Sequence, residues 1–240
     1  MRVDLADVAQ DRLHAGDADR DVGLAFTPGP SERVADDDGH VDATPGEAGA
    51  DLARTRIAVE WSKTWDKDPA VTEIVLREAK RVVRQQGPIL ITETHHGFVC
   101  ANSGVDQSSS GAHGRLVLLP HDPDASARRL RDGLVARGIN AAVIVSDTFG
   151  RAWREGQTDI AIGVAGIQPI LSYIGQFDPH GHEFKVQAIC TADELTGAVE
   201  LVKGNISRVP VGVVRGFVWE ADDTATIAPV LRDQSRDLFR

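Results

Sequence analysis

"VIVSDTFGRAWREGQTDIAIG", residues 143–163, opens as an apolar run and then changes character. Val143-Ile144-Val145 has the β-branched density of a buried strand. Ser146, Asp147 and Thr148 follow at once, then Gly150-Arg151, Arg154 and a Gly156-Gln157 pair. A run that only filled a core would more often finish in a plain turn. Asp147, at the strand's C-terminal end with Thr148 beside it, makes a pair of hard oxygen ligands suited to Mg²⁺ or Mn²⁺. Arg151 and Arg154 suit phosphate oxygens, which a guanidinium fork meets two bonds at a time. The same residues also fit a simpler arrangement, with Asp147 as a turn cap and the arginines on the surface.

On the N-terminal side, "HDPDASARRLRDGLVARG" starts a helix with Asp122 as N-cap and Pro123 as first residue. Ala127, Leu130 and Leu134 give it an apolar face, and Gly138 stops it. "KDPAVTEIVLREAKRVVRQQG" repeats the device at Asp68-Pro69, and Val71, Ile74, Val75, Ala79, Val82 and Val83 predict one helix running to Gly87. "PILITE", a piece through Phe98-Val99, "RLVLLP", "TDIAIGVAG", "HEFKVQAIC" and "VPVGVVRGFVW" read as strands. "TADELTGAVELVKG" reads as a helix opened by a Thr191-x-x-Glu194 capping box and closed by Gly204 as C′, with Lys203 and Asn205 flanking that turn. Interspersed helices and strand-to-strand steps predict an α+β fold, with mixed, largely antiparallel sheets and flanking helices.

Charge is unevenly spread over the 240 residues. Residues 1–55 hold eleven Asp and two Glu against five Arg and no Lys, whereas the remainder is within two charges of neutrality. The acidic segment has isolated valines at no steady period and is expected to be poorly ordered or atypical over most of its length. Residues 56–240 form the expected folded domain. No Lys/Arg-rich stripe offers a nucleic-acid surface, and no run of 18 apolar residues offers a membrane span. The start lacks a signal or transit pattern, so a cytoplasmic protein is expected. Cys100 and Cys190 have no metal spacing and suit burial as small hydrophobes. The pairs His95-His96 and His180-x-His182 lack the spacing of a zinc-binding helix.

Neither G-x-x-x-x-G-K-[ST] nor a strand-following G-x-G-x-x-G occurs, so any nucleotide must be held by an uncommon loop set. "ANSGVDQSSSG", residues 101–111, is one candidate. Gly104 and Gly111 allow tight turns, the serines supply hydroxyls and N–H groups, and Asp106 supplies a carboxylate. It equally fits a solvated turn with an Asx-type hydrogen bond. If Asp106 and Asp147 met at about 4 Å, their repulsion would be roughly 4 kcal/mol at an effective dielectric near 20. A cation between them would reverse that sign.

In order, "ETHHGFVCANSGVDQS", "LLPHDPDASARRLRDGL", "VIVSDTFGRAWREGQTDIAIGVAGI", "TADELTGAVELVKG", "VPVGVVRGF" and the ending "DLFR" resemble the coenzyme F420-0:L-glutamate ligase family. The resemblance covers roughly Trp61 to Arg240. It implies a GTP-dependent amide ligase that adds L-glutamate to the deazaflavin precursor F420-0 through an acyl phosphate, and further γ-linked glutamates in many members. It also implies Mg²⁺ or Mn²⁺, K⁺, and an intertwined homodimer. Carried over by motif, Asp106 and Asp147 would hold one metal and Thr148 would contribute to a second. Lys203, Gly204 and Asn205 would lie at the turn that touches GTP and metal. Two departures stand out. The family's D-x-S-N loop reads Asp106-Gln107-Ser108-Ser109 here, so Ser109 takes the place of a nucleotide-contacting Asn. The family's T-S-K loop has no counterpart within residues 1–60.

Overall fold

The computed structural model describes residues 22–26, 56–106 and 116–237. In chain order the principal elements are β1 (Val22–Phe26), α1 (Arg56–Trp65), α2 (Pro69–Glu78), β2 (Ala79–Gln86), β3 (Ile89–Thr94), β4 (Val99–Ala101), α3 (Pro123–Val135), β5 (Ala141–Arg151), β6 (Arg154–Ala165), β7 (Ile170–Ser172), β8 (Ala188–Cys190), α4 (Thr191–Lys203) and β9 (Val211–Arg215). The fold is α+β, as expected. Contacts divide it into two compact units. The first contains Val22–Phe26, Pro123–Thr148 and the chain from Thr158 onward; the second contains the described residues from Arg56 to Asp122, with Phe149–Gln157.

The first unit is built on a mixed sheet of order β6-β5-β1-β9. Ala141 to Val145 of β5 are each at most 2% exposed. A strand covered on both faces must be apolar at every position, and these five residues are. Burying each Val or Ile contributes about 1.5–3 kcal/mol. Beside β5 runs β1, parallel in register, Val22 opposite Ala141 and Phe26 opposite Val145. This strand lies in the acidic segment expected to be mostly irregular. Its signal is local: Val22 to Phe26 is a five-residue run free of charge, directly after Asp21. On its other side β9 is antiparallel, with Phe26 opposite Val211.

Two helices cover this sheet's strands. Pro123 sits so close to Gly163 that a Cβ there would lie 2.4 Å from the proline carbonyl. Asp124 Oδ1 accepts the Val164 N–H at 2.8 Å and the Ile227 N–H at 3.1 Å, tying β6 to the C-terminal segment. Likewise α4 rests on β9, where a Cβ at Gly212 would lie 2.3 Å from Val199 Cγ1.

In the second unit β2, β3 and β4 form an antiparallel sheet beside α1 and α2. Here one expectation is corrected. The helix begun by Asp68, whose Oδ1 caps Ala70 N at 2.8 Å, ends at Glu78 rather than reaching Gly87. Ala79 is extended (φ −87°, ψ 127°) and the chain returns as β2. Apolar spacing at Ala79, Val82 and Val83 does not define a buried helical face, for Val82 is 45% exposed. The strand form instead brings Lys80 (3.4 Å) and Arg81 (2.8 Å) to the buried carboxylate of Glu93 on β3, which needs a cation. Two other strands also shorten. "RLVLLP" contributes one bridge, Val117 to Asp106, and "HEFKVQAIC" contributes β8 after a bridge at Glu183. The capping box is absent as well. Thr191 is the first helical residue of α4, and Cys190 holds the N-cap position without a side-chain cap bond.

Among the described residues, no helix is long and apolar enough to cross a membrane.

Candidate functional site

The opening stretch is a hairpin. Instead of stopping at Ser146, β5 continues to Arg151, turns through Ala152-Trp153 and returns as β6. Because β1 ends at Phe26 opposite Val145, Ser146, Asp147 and Thr148 extend past its end. The antiparallel β9 starts at that same end, with Val211 opposite Phe26. The α4–β9 connection, which carries Gly204 and Asn205, therefore arrives at the sheet end where Asp147 and Thr148 project.

Asp159 of β6 organises this end. Its side chain is 1% exposed. Oδ1 accepts the Thr148 hydroxyl at 2.6 Å, and Oδ2 accepts the Ser146 hydroxyl at 3.4 Å. Lys203 Nζ lies 3.5 Å from Oδ2 and 2.6 Å from Glu200 Oε2, so its ammonium is enclosed by two carboxylates. Thr196 Oγ1 shares its one proton between the Asp193 carbonyl of its own helix at 2.9 Å and the Asp159 carbonyl at 3.2 Å, and Asp193 Oδ1 accepts the Ala161 N–H at 2.9 Å. These contacts tie α4 to β6 at Asp159 and Ala161.

Thr148 and Lys203, separately expected to serve metal and nucleotide, meet at one carboxylate that the sequence reading did not single out. The signal was a lone acid inside the apolar "TDIAIGVAG". Ser146 and Thr148 share one face of β5, so Asp147 between them projects to the other. The two oxygen ligands are adjacent in sequence but do not form a pair on one side of the strand. Asp147 is half-buried.

Lys203 is nearly enclosed, and its observed work is to hold the end of α4 against β6. Gly204 caps α4 with φ +60° and ψ 167°, a backbone conformation open to glycine, and its N–H donates to the Glu200 carbonyl at 2.9 Å. Ser207 Oγ donates back to the Lys203 carbonyl. Asn205, between these anchors, is exposed. Burial pushes the neighbouring Cys190 thiol, before the start of α4, up to about 12.

Asp106 belongs to the second unit. Its N–H and carbonyl both bond Val117, at 2.9 and 2.8 Å, closing the base of the serine-rich loop. Ser109 and Gly111 lie outside the described residues. The turn before Asp106 is unusual: Asn102, Ser103 and Gly104 all have positive φ. Buried Ser103 holds it, donating Oγ–H to the Val75 carbonyl at 2.8 Å while its N–H bonds Thr92 Oγ1 at 2.8 Å. At Gly104 a Cβ would lie 2.8 Å from Leu119 Cγ. Ser103 lies within the candidate stretch 101–111, but nothing in the sequence marks it as buried or pairs it with Thr92, a small polar residue inside "PILITE".

Within the first unit the donors near this sheet end are of the hard oxygen type that suits a divalent cation: Asp147 carries a carboxylate, Asn205 an amide, and Thr148 a hydroxyl whose proton is committed to Asp159, leaving lone pairs for a ligand. Asp106, in the second unit, carries a carboxylate of the same type. Among the described residues, no three His, Cys, Asp or Glu side chains converge as a metal site by themselves.

Comparison with known proteins gives a consistent result. The chain matches the family described as F420-0:Gamma-glutamyl ligase over residues 45–216. It is 39% identical to the coenzyme F420:L-glutamate ligase of Methanothermobacter thermautotrophicus over 186 residues, 76% of this chain and 73% of that protein. It is 40% identical to the protein of the same name from Methanopyrus kandleri over 179 residues, 72% and 71% of the two chains. With that of Methanocaldococcus jannaschii it shares 41% identity over 164 residues, 68% and 65%.

Proposed function

The chain belongs to the F420-0:gamma-glutamyl ligase family, and on that premise we propose that it joins L-glutamate to F420-0 at the expense of GTP. The observation that carries this is the family match over 45–216, which takes in Asp106, Asp147, Thr148 and the Lys203–Asn205 turn. The γ-phosphoryl group of GTP passes to the terminal carboxylate of F420-0, leaving GDP and an acyl phosphate. The glutamate amino nitrogen then attacks the acyl carbon. A C–N bond forms, the C–O bond to phosphate breaks, and the amine gives up a proton. Further γ-linked glutamates would follow by the same chemistry.

Such a reaction depends on positioning and charge neutralisation rather than on a protein nucleophile. A bound Mg²⁺ or Mn²⁺ supplies charge for the phosphoryl oxygens. Asp106 and Asp147 would hold one such ion, Thr148 would contribute to a second, and Asn205 would be a further metal ligand, with K⁺ as an additional cation. Gly204 and Asn205 would meet the nucleotide at the turn that Lys203 anchors, and Ser109, three positions after Asp106 in the sequence, would be a further nucleotide contact. A cytoplasmic homodimer completes the proposal. Its support is the exposed apolar group Leu201, Val202 and Ile206, each at least 90% exposed around the end of α4. A monomer mass by sedimentation equilibrium removes the dimer.

The test is GDP release from GTP with Mn²⁺, expected only when F420-0 and glutamate are both present. A second reading, a non-catalytic relative that binds or dimerises, is favoured by Ser109 in place of the family's Asn. It predicts no product together with weak or absent GTP binding by calorimetry.

A further inference from the structure

We infer that Asp159 is a positioning residue that fixes the Thr148 hydroxyl as a ligand, while the same carboxylate holds the C-terminal end of α4 through Lys203. This rests on the proposed metal role of Thr148. Burying a carboxylate is costly unless it is paired, so the arrangement of its partners is informative. Lys203 Nζ lies nearer to Glu200 (2.6 Å) than to Asp159 (3.5 Å), so the ammonium already has a counter-ion. The shortest contact of Asp159 is instead the Thr148 hydroxyl at 2.6 Å, the length of a charge-assisted O–H···O bond.

A hydroxyl has one proton. Once it is donated to Asp159, Oγ1 can offer only lone pairs, and the carboxylate raises its electron density. Partners that orient a ligand from behind in this way typically change metal affinity or activity by about ten- to a hundredfold. The same carboxylate lies 3.5 Å from Lys203 Nζ at the C-terminal end of α4. The Gly204-Asn205 turn and Thr148 are thereby referred to a single point on β6.

The experiment is a thermodynamic cycle on Mn²⁺ affinity, read by calorimetry on the full chain without GTP or F420-0. Asp159→Asn is expected to weaken Mn²⁺ binding about ten- to a hundredfold. Thr148→Val should also weaken it, and adding Asp159→Asn to Thr148→Val should cost less than about twofold more, because the two act through one oxygen. Unchanged affinity in Asp159→Asn, or losses that simply multiply, overturns the inference. If Asp159→Asn does not fold, Asp159→Asn/Lys203→Met is compared with Lys203→Met, which removes the buried ammonium from both arms; equal Mn²⁺ affinity there overturns it too. Wild-type protein without Mn²⁺ affinity likewise overturns it. Wild-type protein that binds Mn²⁺ but releases no GDP instead overturns the ligase reading, and the cycle still decides the role of Asp159.

Discussion

The Thr148 hydroxyl reaches 2.6 Å across the β5–β6 hairpin to the carboxylate of Asp159, on the strand face opposite to Asp147. Two neighbouring residues with hard oxygen donors thus serve different sides of one strand. Asp159 holds the first, and Asp147 projects to the opposite side of β5.

Replacing Asp147 by Asn keeps the shape and removes an anionic ligand. Mn²⁺ affinity should fall on the order of tenfold or more, measured by calorimetry. Affinity equal to wild type would take Asp147 out of the site.

Ser103 holds a left-handed turn from inside the second unit, with its hydroxyl 2.8 Å from the Val75 carbonyl and 3.0 Å from Thr92 Oγ1. Ser103→Ala leaves buried partners without that hydroxyl and should cost about 1–3 kcal/mol in urea unfolding. A loss below about 0.5 kcal/mol would show that the network is not needed for the turn.

At Gly212 there is no room for a methyl group, since Val199 Cγ1 would be 2.3 Å away. Gly212→Ala should destabilise by roughly 1–3 kcal/mol through overpacking. Val199→Ala in the same chain clears the clash, so the double variant should be more stable than the sum of the single losses implies. Strict additivity in thermal unfolding would contradict the packing of α4 on β9.

Cys190 links pH to stability. Burial raises its folded pKa from 9.0 to about 12. A raised folded value means the neutral thiol is favoured by folding. Its contribution is fully present below the unfolded pKa near 9 and is lost as pH rises toward 12. Iodoacetamide should therefore label Cys190 slowly at pH 8 in the native chain, faster as pH climbs through that window, and readily in urea. Equal native and unfolded rates at pH 8 would refute the shift.

Local chemistry was legible along the chain wherever neighbours in sequence decide it. Helices start at Pro69 and Pro123, where an Asp-Pro pair stands in the sequence, and at Asp68 the cap and its target amide are only two residues apart. The run from Ala141 to Val145 is a buried strand because every position is apolar, and Gly204 ends α4 because only its own φ is at issue. The candidate loops were legible through their matching motifs. Helical spacing failed at Ala79, where the cross-strand demand of buried Glu93 for Lys80 and Arg81 outweighs a pattern compatible with either form. The capping box failed for a similar reason, because α4 begins where β8 and the packed sheet place it.

Sequence by itself determined the α+β class, the two Asp-Pro helix starts, the apolar strand that carries Ser146 to Thr148, and the family. Tertiary structure alone decided that Val22–Phe26 stands between β5 and β9, so that Thr148 and the turn after Lys203 reach one end of the sheet. It alone made Asp159 the point where they meet. The physical reason is range. Caps, turns and periodicity are settled within a few residues, whereas a buried carboxylate takes its partners from whichever strands and helices the fold brings around it.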